Sequence, residues 1–208
     1  MNIRKHTATN KSICVGVAGM TKQARTLNEQ ELQKLLQAAT NTKHSHRNRT
    51  ILLLTHLAGM RVGEVAAVKI GDVVQNDKTV LSQINLKADQ TKGSQGRTVL
   101  LNERMRSVLQ SYVDTLKNLH PNNPLFPTQR SIGFSANSLT QIINGLYNKA
   151  GLHGCSSHSG RRGYLTNLAE KGVSVRVMMA LAGHKNMATT QRYIDLRPGV
   201  LRKAVELV

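Results

Sequence analysis

The sequence predicts a mainly α-helical domain with a small antiparallel β-sheet near its middle. Three observations predict it. Apolar residues recur at helical spacing through most of the chain, one stretch (69–101) switches to short β-type runs, and Gly, Pro, Asn or Ser bounds nearly every segment. At the start of the helical region, Thr26 followed by Glu29 matches a capping box. Leu32, Leu35, Leu36 and Ala39 then share one face, so the first helix begins near Asn28. A polar, basic stretch over 41–49 separates it from a buried helix at 51–57. Gly59 ends that helix, and 61–68 begins another. In 69–101, Val73, Val74, Val80, Leu81, Ile84, Leu86, Val99, Leu100 and Leu101 are punctuated by Asn76-Asp77 and Lys92-Gly93-Ser94. Three short strands fit that pattern.

From Asn102 the spacing is helical again, with Met105, Val108, Leu109, Tyr112, Val113 and Leu116 on one face. Pro121, Pro124 and Pro127 mark 120–133 as a loop. Asn137 or Ser138 caps a helix carrying Leu139, Ile142, Ile143 and Leu146, which stops at Gly151. Three short helices follow at 158–170, 175–182 and 187–194. Leu196-Arg197-Pro198-Gly199 is a break, and beyond it Val200, Leu201, Ala204, Val205, Leu207 and Val208 form a short apolar stripe. Such a stripe is too short to stand alone as a helix, so it packs either on its own domain or in a partner's groove.

Charge points to the partner class. Lys and Arg number 29 against 11 Asp and Glu, a formal charge of +18, which calls for a polyanion and usually a nucleic acid. The same excess would suit a ribosomal or chromatin-like binder, so charge alone does not fix an activity. Aromatics make up 3% with no Trp, which argues against base-stacking on single strands and for phosphate-directed duplex binding. Residues 1–25 hold Arg4, Lys5, Lys11, Lys22 and Arg25 with no acidic residue and read as a flexible basic arm, leaving 26–208 as the folded domain. Cys14 and Cys155 make neither a disulfide framework nor a zinc site and read as small apolar residues in a reducing compartment. His44, His46 and His153 lack companions at a metal-binding spacing and read as surface or DNA-facing residues. With no leader-like core in 1–25 and no apolar run long enough to span a bilayer, the expectation is a soluble, cytoplasmic protein.

Four short segments carry the chemistry. They are Ala58-Gly59-Met60-Arg61-Val62-Gly63-Glu64-Val65, then Gln90-Thr91-Lys92-Gly93 with Arg97-Thr98-Val99, then His158-Ser159-Gly160-Arg161-Arg162, and Leu181-Ala182-Gly183-His184 with Thr189-Thr190-Gln191-Arg192-Tyr193. In this order, and with His184 and Tyr193 nine residues apart, the chain resembles the tyrosine recombinases, or phage-type integrases, over about 26–208. The resemblance implies their catalytic-domain fold and site-specific DNA recombination through a 3′-phosphotyrosine, in which Tyr193 attacks the scissile phosphate. It implies catalytic roles for Arg61, Lys92, His158, Arg161, His184 and Tyr193, with no metal, ATP or other cofactor. Always-charged, forked guanidiniums suit the negative charge that builds on the non-bridging oxygens, so Arg61 and Arg161 would clamp the phosphate. His158, at i to Arg161 at i+3, would share its face and accept the phenol proton, and His184 would donate a further hydrogen bond. Lys92 would protonate the leaving 5′-oxygen as general acid, with Lys87 in the same hairpin region as the alternative. Glu64, one turn after Arg61, would orient it or a neighbour.

Most members of the family carry a separate N-terminal helical domain, whereas about 25 residues precede the catalytic region here. The chain is therefore either a fragment or akin to the short single-domain branch that includes fimbrial-switch invertases. Two other functions share some of these features: type IB topoisomerase-like relaxation and a non-catalytic DNA-binding regulator. The expected partners are double-stranded DNA and further copies of the chain, as a dimer on one site and a tetramer in synapsis. In solution the charge would keep a monomer apart, and the apolar stripe in 196–208 would pass between protomers on DNA.

Overall fold

In a computed structural model the described residues are 24–91, 95–129, 133–193 and 205–206. Among them are α1 (Glu29–Thr40), α2 (Ser45–Leu57), α3 (Val62–Ala67), β1 (Gln83–Leu86), β2 (Arg97–Leu100), α4 (Glu103–Val113), α5 (Ala136–Lys149), α6 (Ser159–Glu170), α7 (Val175–Ala182) and α8 (Met187–Gln191). The fold is the expected one, mainly helical with one small antiparallel sheet.

The core is built around α2. Ile51, Leu52, Leu53 and Leu54 are consecutive and all buried, so this helix is apolar on every side and needs neighbours all round. It packs against α1, α3, α4 and α6. Leu35 and Ala39 of α1, Met105 and Leu109 of α4, and Leu139 and Ile143 of α5 complete the main cluster. A smaller second cluster gathers Leu165 of α6 with Met178 and Ala182 of α7, and Tyr164 and Tyr193 pack against it. Helix α6 thus has two jobs, meeting the core helix on one side and carrying the α7–α8 layer on the other.

The α2–α6 approach depends on Gly160. A methyl group there would overlap the Thr55 hydroxyl and lie 2.8 Å from His56 Nδ1. His56 is itself locked: Nδ1 is 2.8 Å from the Leu52 carbonyl, and burial pushes its pKa down, so it stays neutral in the core.

Several boundaries differ from the sequence expectation. The first capping box uses Asn28 and Glu31, whose side chains each accept a hydrogen bond from the other's backbone N–H, rather than Thr26 and Glu29. Helix α2 starts at Ser45, six residues before the apolar run. Its polar first turns are held by tertiary contacts that periodicity does not register. Arg47 donates to the Pro127 carbonyl and lies over the Phe134 ring, and Asn48 is buried against Thr42. Ser135, not Asn137 or Ser138, caps α5, its hydroxyl accepting from Ser138 N–H. The sheet has two strands among the described residues rather than three, paired Gln83↔Leu100 to Leu86↔Arg97. The expected extra strand collapses into a single bridge, Val74↔Val80. A 3₁₀ turn at Ile70–Asp72 and a tight turn at Asp77–Thr79 leave no length for a ladder. Arg25, assigned to the arm, is instead tied to Glu31 at 2.7 Å and donates to the His153 carbonyl. The apolar stripe of the C-terminal tail lies outside the described residues apart from Val205, and so does nearly all of the basic arm.

Replacing Gly160 by Ala is expected to lower Tm by about 3–10 °C, the consequence of roughly 1–3 kcal/mol of overpacking in a chain of this size. Thermal denaturation of the Gly160→Ala variant checks this, and an unchanged Tm would show that α2 and α6 are not in steric contact there.

Candidate active site

Five parts of the chain converge beside the second apolar cluster: the start of α3, strand β2, the first turn of α6, the α7–α8 junction and the end of α8. Arg61 is the N-cap of α3, in extended conformation just before the helix. That placement lets Glu64, at the third helical position, reach back. Its carboxylate accepts from the Arg61 backbone N–H at 2.8 Å and from the Arg61 guanidinium at 2.7 Å. The other side of the same carboxylate takes Arg97, with Nε at 3.0 Å and the second contact at 2.7 Å. Glu64 is 1% exposed. Burial acts to raise its pKa, but hydrogen bonds and charge from Arg97, with those from Arg61, more than offset it and hold the carboxyl below its usual range.

Arg161 is buried inside α6 and spends its donors on backbone and ring. It donates to the carbonyl of Gly59, to that of Ala182 at 2.6 Å, and to Nε2 of His184 at 3.0 Å. Burial, then Arg61 and Arg97, depress its pKa to about 10, so it remains a cation at neutral pH. Its Nε–H and one further N–H have no hydrogen-bond partner among the described residues.

Two motif glycines make this approach possible. Gly59 has φ +61°, and a side chain there would collide with the Tyr164 ring. Gly183 has φ +60°, ends α7, and would place a Cβ 2.6 Å from Arg97 Cδ. Directly after it comes His184, nearly buried between Arg161 and Thr190, with Nδ1 2.9 Å from the Thr190 hydroxyl. Burial and the neighbouring Arg161, Arg61 and Arg97 push its pKa down to about 4, which keeps the ring neutral at physiological pH. A guanidinium can only donate, so Nε2 accepts from Arg161 and the ring proton sits on Nδ1. Tyr193 follows α8. Its ring stacks on His184 with centroids 5.9 Å apart and planes 16° from parallel, and the Arg162 guanidinium lies 5.9 Å from the ring centroid.

The fold therefore brings together Arg61, Glu64, Arg161, His184 and Tyr193 of the residues expected from sequence. His158 is exposed at the N-cap of α6, and no side-chain hydrogen bond joins it to the cluster among the described residues. Lys92 lies outside the described residues, but the root of its hairpin is firm. Gln90 is buried, donates to the Ala67 carbonyl and to Asp72, and accepts from Lys87 N–H. Lys87, the alternative, is exposed. Two members escaped the sequence reading. Arg97 falls in the second motif without an assigned role, and an arginine in a short strand with only Val99 buried gives little signal from sequence. Thr190 stood in another, and a hydroxyl three residues before the tyrosine gives no sign of its bond to His184.

The cluster is one carboxylate among three guanidiniums, with a neutral imidazole and a phenol stacked at its rim. Among known proteins, the phage integrase family matches residues 25–199. The chain is 29% identical to the tyrosine recombinase XerA of Pyrococcus horikoshii over 185 residues, covering 88% of this chain and 60% of that protein. It is likewise 29% identical to the tyrosine recombinase XerC of Bacillus subtilis, covering 85% of this chain and 58% of that protein. The crystal structure of XerA recombinase superposes with a TM-score of 0.69 at 27% identity, over 88% of this chain and 65% of that one. The Tn1549 transposon integrase in complex with a circular intermediate DNA shares the fold, with a TM-score of 0.71 at 16% identity over 92% of this chain and 68% of that one. The chain thus spans about three fifths of the length of the curated relatives it matches. Since the family match takes in most of the chain and every side chain of the cluster, this chain belongs to the phage integrase family.

Proposed function

We propose that the chain breaks and rejoins duplex DNA site-specifically, by transesterification at Tyr193. The single observation that carries the reading is the contiguity of the cluster. Tyr193 stacks on His184, His184 is bonded to Arg161, and Arg61 ends on the carbonyl of the residue before His184, at 3.4 Å. A tyrosine hydroxyl beside several fixed cations is what attack on a phosphodiester requires, because negative charge grows on the phosphate as the bond forms.

In this scheme the Tyr193 oxygen forms a bond to phosphorus while the bond to the 5′-oxygen breaks, leaving a 3′-phosphotyrosine and a 5′-hydroxyl. The phenol proton goes to His158, exposed on the same helix as Arg161, and Lys92 gives a proton to the leaving oxygen. Arg61 and Arg161 hold the non-bridging oxygens, His184 donates to one of them, and Glu64 orients Arg61. The phosphotyrosyl bond retains the energy of the phosphodiester, and the guanidiniums supply positive charge. The scheme therefore uses neither ATP nor metal. A 5′-hydroxyl from a second duplex reverses the step onto a new partner. Exchange between two duplexes cuts four strands, one tyrosine each, which fits a dimer on each site and a tetramer in synapsis. Residues 26–208 form the catalytic unit, and the cations of 1–25 add non-specific phosphate contacts, in keeping with a charge of +18.

Incubation with supercoiled DNA and denaturing electrophoresis tests the nucleophile. The wild type should give a covalent protein–DNA adduct and Tyr193→Phe none, with duplex binding retained; an adduct at wild-type level in Tyr193→Phe would refute the assignment. Arg61→Ala and Arg161→Ala should each slow adduct formation by about 10²-fold or more, the typical loss for one transition-state donor, while binding weakens far less. Normal cleavage with poor binding would make both arginines docking residues. Lys92→Ala should fail on ordinary DNA yet cleave a substrate with sulfur at the bridging 5′ position, since a thiolate leaves without a proton. Equal impairment on the two substrates would remove the general-acid role.

A further inference from the structure

Thr190 is wholly buried and joins the histidine to the nucleophile's turn. Its hydroxyl meets His184 Nδ1 at 2.9 Å, and its carbonyl accepts the Tyr193 backbone N–H at 3.0 Å. Across the ring, Arg161 donates to Nε2 at 3.0 Å. In this arrangement Nδ1–H donates to the Thr190 hydroxyl. To donate from Nε2 to a phosphate oxygen, the neutral ring must carry its proton on the other nitrogen, and Nδ1 then becomes an acceptor that needs a donor in the same place. A carboxylate at 190 would satisfy only the first state, and an N–H only the second. A hydroxyl satisfies both by rotating, because it is donor and acceptor at once.

We propose that Thr190 is a positioning residue that allows His184 to exchange tautomers, accepting from Nδ1–H in the free protein and donating to Nδ1 once Nε2–H faces a phosphate. The exchange is neutral overall: Arg161 releases Nε2 and donates to the phosphate instead, while one proton arrives at Nε2 from solvent and one leaves Nδ1 to it. Its geometry stands on the cluster alone, and its catalytic consequence rests on the transesterification reading. The carbonyl of the same residue keeps the tyrosine turn in register with the ring, so one side chain and one backbone group of Thr190 serve both partners.

The test uses the full chain with ¹⁵N-labelled histidine at neutral pH, where ring nitrogen shifts separate the two tautomers and the imidazolium; a His184→Gln spectrum assigns the signal. Wild type and Thr190→Ser should show a single neutral species protonated on Nδ1, and Thr190→Val, with Arg161 still donating to Nε2, should shift that Nδ1 signal because its acceptor is lost. In the adduct assay on supercoiled DNA, Thr190→Ser should stay within about threefold of wild type and Thr190→Val fall about tenfold or more, the upper range for one neutral hydrogen bond. Should Thr190→Val melt below the assay temperature, Thr190→Cys, close in size and weak in hydrogen bonding, replaces it with the same expectations. A Thr190→Val spectrum identical to wild type, an imidazolium in the wild type, or equal adduct from Val and Ser variants would overturn the proposal. Absence of adduct from the wild type itself would instead remove the transesterification reading, while the spectra still decide the hydrogen bond.

Discussion

Three successive carbonyls at the end of α7 each accept from a different arginine: Leu181 from Arg97 at 2.9 Å, Ala182 from Arg161 at 2.6 Å, and Gly183 from Arg61 at 3.4 Å. The last carbonyls of a helix have no partner within it and mark the negative end of its dipole, so they are natural acceptors for cations. The arginines come from β2, α6 and the start of α3, and without a shared anchor three guanidiniums this near would repel one another. The α7 terminus on one side and the Glu64 carboxylate on the other hold Arg97 and Arg61 in place, and Arg161 is added through its own backbone bonds. Gly183 makes the anchor possible, because only a left-handed residue turns the chain away there and leaves these carbonyls open.

The charge balance of this arrangement follows from the same contacts. One carboxylate and a partial helix dipole do not neutralise three guanidiniums, so the pocket carries a positive surplus that an anion would relieve. The surplus also decides the state of His184. Burial and three neighbouring cations make a second ring proton unfavourable, and the histidine enters any reaction as a neutral group with one proton to place. Among the described residues Tyr193 sits at the edge of this field rather than within its network of bonds, half-buried against the Leu165–Met178–Ala182 cluster. The apolar cluster and the polar cluster thus share a wall, and α6 supplies it.

Much of the architecture was legible as periodicity. The predicted limits of α7 agree residue for residue, and those of α3 and α6 fall within one residue of the observed helices, because each has strong stop signals beside a plain apolar pattern. The failures share one cause. Arg47 and Asn48 look like loop residues, yet they extend α2 because Pro127 and Phe134, distant in sequence, receive Arg47, and Thr42 receives Asn48. Val73 and Val80 look like strand residues, yet they are core side chains flanking a tight turn, where pairing is limited to the single bridge Val74↔Val80. Composition does not single out Ser135 as the cap, because Asn137 and Ser138 are equally good caps, and only the path of the loop selects among them.

What the sequence determined by itself was the residue inventory and its short-range geometry. The nine-residue interval from His184 to Tyr193 and the three-residue step from Arg61 to Glu64 are spacings along the chain, visible without a fold. The tertiary structure alone decided which groups share a bond. Arg97 reaches Leu181 across 84 residues, Arg161 reaches Gly59 across 102, and the choice of proton position on His184 depends on both Arg161 and Thr190. Local pattern encodes what lies within a turn or two, whereas these pairings exist only because packing on α2 and α6 brings remote segments to hydrogen-bonding distance.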